Sequence, residues 1–121
     1  MTNPYELCEN IPQQHAVLFP LATSESQMFK LEEEVFEWKN AKTEEEEIKE
    51  AADVIIVILG LARWYIVISD LLLEMFLVKL DYDEIQLDKL WDEVARKWLI
   101  NLMRTWKWNG KTYHHEGNDE G

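Results

Sequence analysis

The sequence predicts an all-α protein folded as one domain. Apolar residues recur at three- and four-residue spacing, helix-start signatures precede the periodic stretches, and no segment alternates apolar and polar residues as a half-buried strand would. A length of 121 residues with 47% hydrophobic content suits one packed core spanning 1–121.

Each element follows from local chemistry. Pro4, Pro12 and Pro20 all fall in the first twenty residues, and proline breaks a helix interior, so 1–22 reads as an irregular arm. Ser24 with Gln27 fits a capping box, after which Met28, Leu31, Val35 and Trp38 keep helical spacing to about Asn40. Thr43 with Glu46 repeats the cap signature, and the acidic run from Glu44 to Glu47 suits the positive end of a second helix. From Ile48 to about Trp64 that helix is apolar on most sides, which implies burial in a bundle or between subunits, and an oligomer is the economical explanation. Ser69 to Leu80 reads as a third helix or a continuation of the second, with Gly60 the weak point between them, and Asp81-Tyr82-Asp83 makes a turn. A last amphipathic helix runs from about Glu84 to Trp106, where Asn109-Gly110 opens a polar tail over 109–121.

Charge narrows the function classes. Twenty-four acidic against 12 basic residues give a net charge of −12, which repels nucleic-acid backbones and anionic membrane surfaces. The most apolar stretch, Val54 to Val78, carries Arg63, Asp70 and Glu74 and so reads as buried helix rather than a membrane span. A single cysteine, Cys8, forms no internal disulfide, and the first residues lack a signal-peptide pattern, so a cytoplasmic setting is expected. Cys8 has no basic neighbour to activate it and reads as a small packing residue.

The chemistry-bearing pattern is acidic. Glu34 and Glu37 lie three apart on one face of the first helix, with Glu33 beside them, and Glu50 and Asp53 repeat that spacing on the second. Glu50 also falls in line with Val57 and Leu61, so acid interrupts a core-facing stripe. Carboxylates so placed must protonate or find a cation, and two such pairs make an oxygen cage for Mg²⁺, with Mn²⁺ able to substitute. The plainer alternative is a solvated acidic face, which is the reading for Glu44 and Glu45. On the last helix Lys97, Asn101 and Arg104 project within about 60° of one another. A point charge, an amide and a planar guanidinium together suit phosphate oxygens; the alternative is a surface stripe in which Glu93 pairs Lys97. Most of the six tryptophans, Trp91 and Trp98 among them, sit at core spacing. Trp38 and Gln27, flanking the acidic motif, are candidates for lining a base pocket.

The stretch Glu33-Glu34-Val35-Phe36-Glu37, twelve intervening residues, then Glu50-Ala51-Ala52-Asp53 resembles the EExxE and ExxD signature of the MazG-like all-α nucleoside triphosphate pyrophosphohydrolases. That superfamily includes the dimeric dUTPases and phosphoribosyl-ATP pyrophosphohydrolases. Lys97, Asn101, Arg104, Trp106, Gly110 and His114 resemble the ending of MazG-like proteins often carried by phages. The resemblance covers 24–62 well and matches nothing over 65–90. It implies a bundle of about four helices, a dimer or dimer of dimers, and Mg²⁺ held by Glu34, Glu37, Glu50 and Asp53. The implied substrate is a nucleoside triphosphate attacked by water at the α-phosphorus, giving the monophosphate and pyrophosphate. Glu33 would deprotonate that water or steady a metal-binding carboxylate. His114 fits the family tail and joins the base-pocket candidates. The likeness to phage-borne members makes dGTP the first substrate to test, and a phage-encoded chain would work in the host cytoplasm.

Two other classes compete. A non-catalytic acidic bundle would bind a partner protein through its apolar second and third helices, and would not bind Mg²⁺. A di-iron bundle requires Glu-x-x-His pairs, and no histidine occurs between Leu18 and Tyr113.

Overall fold

The computed structural model describes residues 2–115. Among these, five helices run in order: α1 (Pro4–Leu18), α2 (Ser24–Lys39), α3 (Glu44–Leu61), α4 (Ile66–Leu80) and α5 (Glu84–Met103). A two-stranded antiparallel hairpin, β1 (Trp106–Trp108) and β2 (Tyr113–His115), follows. The all-α expectation therefore holds for the body of the chain. No helix among the described residues is long and apolar enough to cross a membrane.

Helix α3 is the axis of the molecule and packs against α1, α2, α4 and α5. Its Ile48, Ala51, Ala52, Ile55, Ile56 and Leu59 meet Ile11 of α1 and Leu90, Val94 and Trp98 of α5 in one core. The Thr43 cap forms as the sequence predicts, its Oγ1 accepting from the Glu46 N–H at 3.1 Å. Helix α2 starts one residue earlier than expected in cap terms. Thr23, not Ser24, is the cap, exchanging hydrogen bonds with Ser26 at 3.0 and 2.9 Å, and Gln27 is thereby released to turn inward.

The first twenty residues are not irregular. Asn3 Oδ1 accepts from the N–H groups of Tyr5 and Glu6, Pro4 occupies the first turn, where its missing N–H costs nothing, and Pro20 lies beyond the helix end. Pro12 alone sits inside α1, a cost of about 3 kcal/mol. Burial of Ile11 and His15, one turn apart, on α3 and α5 offsets it.

The chain breaks between α3 and α4 at 62–65, after Gly60 rather than at it. The buried Ser69 hydroxyl donates to the Ile58 carbonyl at 2.7 Å and ties the start of α4 to the end of α3. Asp81 takes a left-handed conformation (φ 52°, ψ 43°), and Asp83 caps α5 in a reciprocal pair with Gln86. Helix α5 stops at Met103, short of the expected Trp106. What was expected as polar tail is instead a hairpin, with Trp106 opposite His115 and Trp108 opposite Tyr113. Its turn rests on Asn109 Oδ1, which accepts from the N–H groups of Lys111 and Thr112 at 2.8 Å each, and on Gly110 at φ 93°. The hairpin folds back because Trp106 and Tyr113 pack their rings on Phe19, at 4.9 and 5.0 Å between centroids. Three-residue strands are too short for their alternation to register in the sequence. The remainder of the expected tail, 116–121, lies outside the described residues.

Candidate metal centre and adjoining cavity

Helices α2 and α3 run antiparallel through the short loop at 40–43, so Gln27 meets Val57 near one end and the acidic pairs face each other near the other. Glu34, Glu50 and Asp53 converge, each offering an oxygen, with all three atoms within 4.8 Å of one another. Oε2 of Glu34 and Oε2 of Glu50 are buried and accept no hydrogen bond among the described residues. Charged oxygens this close repel, and burial deprives them of water. Burial first, then Asp53 and Glu37, push the Glu34 carboxyl up to about 8 against the pull of Lys30. Glu50 is raised by burial and by Asp53, and Asp53 by burial against the opposing Lys97. Three hard oxygen donors held together at such electrostatic cost fit an Mg²⁺ or Mn²⁺ ion, which would neutralise them.

Three of the four residues expected to hold the metal make up this cluster. Glu37 lines the same cavity and helps raise the Glu50 carboxyl, but is not among the three converging carboxylates. Glu33 also lines the cavity.

Of the expected phosphate-binding trio, Asn101 and Arg104 line the cavity and Lys97 does not. Lys97 is buried, and its Nζ donates to Asp53 Oδ2 at 2.7 Å, where it offsets part of the acidic charge. Sequence spacing could not reveal this, because the partner stands 44 positions away on another helix. Glu93 pairs with Arg96 at 2.9 Å rather than with Lys97.

The base-pocket candidates divide. Gln27 and His114 line the cavity. Trp38 does not, because its ring meets Phe76 of α4 edge-on at 5.0 Å and packs on the core.

The cavity, about 470 Å³, extends from the carboxylates to an aromatic end built from Phe19, Trp98, Trp106 and Tyr113. His15 stands there, 4% exposed and stacked parallel to Trp98. Burial first, then the Arg63 charge, lower it to about 4, against the raising influence of the nearby Gln27 side chain. His15 falls in the segment expected to be irregular, and its place on α1 brings it to Arg63. The Asn3-Pro4 start signature and the Ile11/His15 spacing were the available signals. Gly60 explains itself here, since a Cβ would lie 2.5 Å from Gln27 Nε2 and 2.7 Å from His15 Cδ2. The half-buried Cys8 thiol is raised by burial and by Asp70, in keeping with an unreactive packing residue.

The chain matches no protein-family model, no curated protein and no solved structure.

Proposed function

We propose that the protein is a Mg²⁺-dependent pyrophosphohydrolase that cleaves a nucleoside or deoxynucleoside triphosphate to the monophosphate and pyrophosphate. The observation that carries this reading is the convergence of Glu34, Glu50 and Asp53, with two orphaned buried oxygens, on a cavity that also receives Asn101 and Arg104. These three carboxylates would hold the ion, and Glu37 would steady Glu50. Bound there, Mg²⁺ supplies positive charge against the triphosphate oxygens and the charge that develops in the transition state. The Arg104 guanidinium presents a planar fork to phosphate oxygens, and Asn101 adds an uncharged hydrogen bond. Glu33 accepts the proton of the water that attacks the α-phosphorus as the bond to the pyrophosphate oxygen breaks.

A panel of nucleoside triphosphates with pyrophosphate detection tests the reading, dGTP first, with dUTP and phosphoribosyl-ATP as the same-fold alternatives. Glu50→Gln and Asp53→Asn are each expected to abolish turnover with helical circular dichroism retained. Full activity in either variant would remove that residue from the mechanism.

Assembly as a homodimer or pair of dimers belongs to the same proposal. Support lies in α4, where Ile66, Val67, Ile68, Leu71, Met75 and Val78 are all exposed, and clustered exposed apolar residues mark protein–protein contacts. The same surface favours the rival reading, an acidic bundle that binds a partner protein and performs no chemistry. Absence of Mg²⁺ and Mn²⁺ binding would select the rival.

A further inference from the structure

We infer that Arg63, acting through His15, fixes which way the Gln27 amide faces the cavity, and that this amide reads the edge of the nucleobase. The inference rests on the nucleotide reading above and adds to it a specificity-determining positioning residue.

A carboxamide is nearly symmetric in shape, so its donor and acceptor ends exchange on a flip unless neighbours specify them. The neighbours here do so. Arg63 Nη1 stands 3.1 Å from His15 Nδ1, donates to the Phe19 carbonyl at 2.9 Å, and the guanidinium lies 4.4 Å over the Trp64 ring. Guanidinium carries only donors and keeps its proton, so Nδ1 must accept and the single proton of the neutral ring sits on Nε2. That N–H requires an acceptor, and the polar side chain beside the ring is Gln27, both reaching within 2.8 Å of the point a Gly60 Cβ would occupy. Gln27 Nε2 donates to the Val57 carbonyl at 2.9 Å, which leaves Oε1 as the end of the amide free to accept the histidine proton. The order Arg63, His15, Gln27, Val57 thus runs in one direction, donor to acceptor, and reversing the amide breaks two of its bonds at once. Gly60 leaves the room in which His15 and Gln27 meet.

One N–H and one acceptor lobe of the amide are left for a ligand, and a carboxamide pairs with a base edge through one of each. Gln27 precedes Glu34 by seven residues, so the two share a face of α2 about 10 Å apart. A nucleoside extending from a phosphate at the carboxylates covers that interval. Phe19, Trp98, Trp106 and Tyr113 surround the far end with ring faces and edges for a planar heterocycle.

The test combines ring-nitrogen NMR of His15 with calorimetric binding of dAMP, dGMP, dCMP and dTMP, in the wild type, Arg63→Lys and Arg63→Met. Lysine keeps a donor-only partner; methionine removes it. The wild type and Arg63→Lys should show the proton on Nε2 and a clear preference for one base. Arg63→Met should show mixed tautomers and lose about tenfold of the preference, about 1.4 kcal/mol, with helical dichroism unchanged. A proton on Nδ1 in the wild type overturns the inference, as does Arg63→Met retaining full discrimination. Hydrolysis of all triphosphates at one rate would sink the inference and leave the hydrolase reading; base-selective monophosphate binding without pyrophosphate release would do the reverse.

Discussion

Glu34 is held against its own ionisation. Its carboxyl is raised from 4.5 to about 8 by burial and by neighbouring acid. In the unfolded chain it loses its proton near 4.5, so between about 4.5 and 8 the folded state binds more protons than the unfolded state. Stability from this group is fully present below the unfolded value and lost as pH rises through about 8. Glu50 and Asp53 are raised as well and act with the same sign. The melting temperature of metal-free protein should therefore fall across that window, and Glu34→Gln should flatten the fall. Mg²⁺ should raise the melting temperature at every pH, displacing protons where the carboxyls still hold them. A melting curve indifferent to pH through the window would mean that these oxygens are not crowded together. The acidic half of the site was legible in the sequence because both pairs are local, three residues apart on single helices. The placement of Lys97 was not, because its role depends on which distant carboxylate it meets.

At the scale of elements, α1 and α3 are fitted to each other through Gly60. An alanine in an exposed helix interior is favoured over glycine by about 1 kcal/mol. Here the added methyl would meet Gln27 Nε2 at 2.5 Å and the His15 ring at 2.7 Å. Gln27 is held by Val57 and His15 by Arg63, so neither moves without losing a hydrogen bond. Gly60→Ala should thus destabilise the protein by about 1–2 kcal/mol net, since overpacking typically costs 1–3. A helix-breaking role for Gly60 would instead make the alanine variant more stable, and thermal denaturation distinguishes the two. The helix starts that were readable, at Thr43 and Asp83, are those where a side chain caps its own helix. Asn3 caps α1 in the same way, but three nearby prolines weigh against a helix in a local reading; the hairpin depends on packing against Phe19 that no local window contains.

For the whole molecule, the net charge of −12 sits on a chain whose α4 carries only Asp70, Glu74 and Lys79 as charged residues. Val67, Leu71, Met75 and Val78 follow one another at four- and three-residue intervals and form an exposed apolar stripe, with Val78 78% exposed. A second copy covering that stripe should make the protein sediment as a dimer or larger at micromolar concentration. Paired Leu71→Glu and Met75→Glu substitutions should shift it to monomer with helical content intact. A wild-type protein that sediments as a monomer throughout would leave the stripe to a different partner.

By itself the sequence determined the helical class, the positions of α2, α3 and α5 to within a few residues, and the carboxylates worth examining. Helical periodicity, caps and i, i+3 spacing are properties of a single segment, and a single segment suffices to read them. Tertiary structure alone decided that three of the four metal candidates converge, that Lys97 serves Asp53, that Trp38 is core, and that Arg63 meets His15 beside Gln27. Each of these depends on which surfaces meet across the fold, and that is settled by the joint burial of apolar faces around α3 rather than by any one stretch of chain.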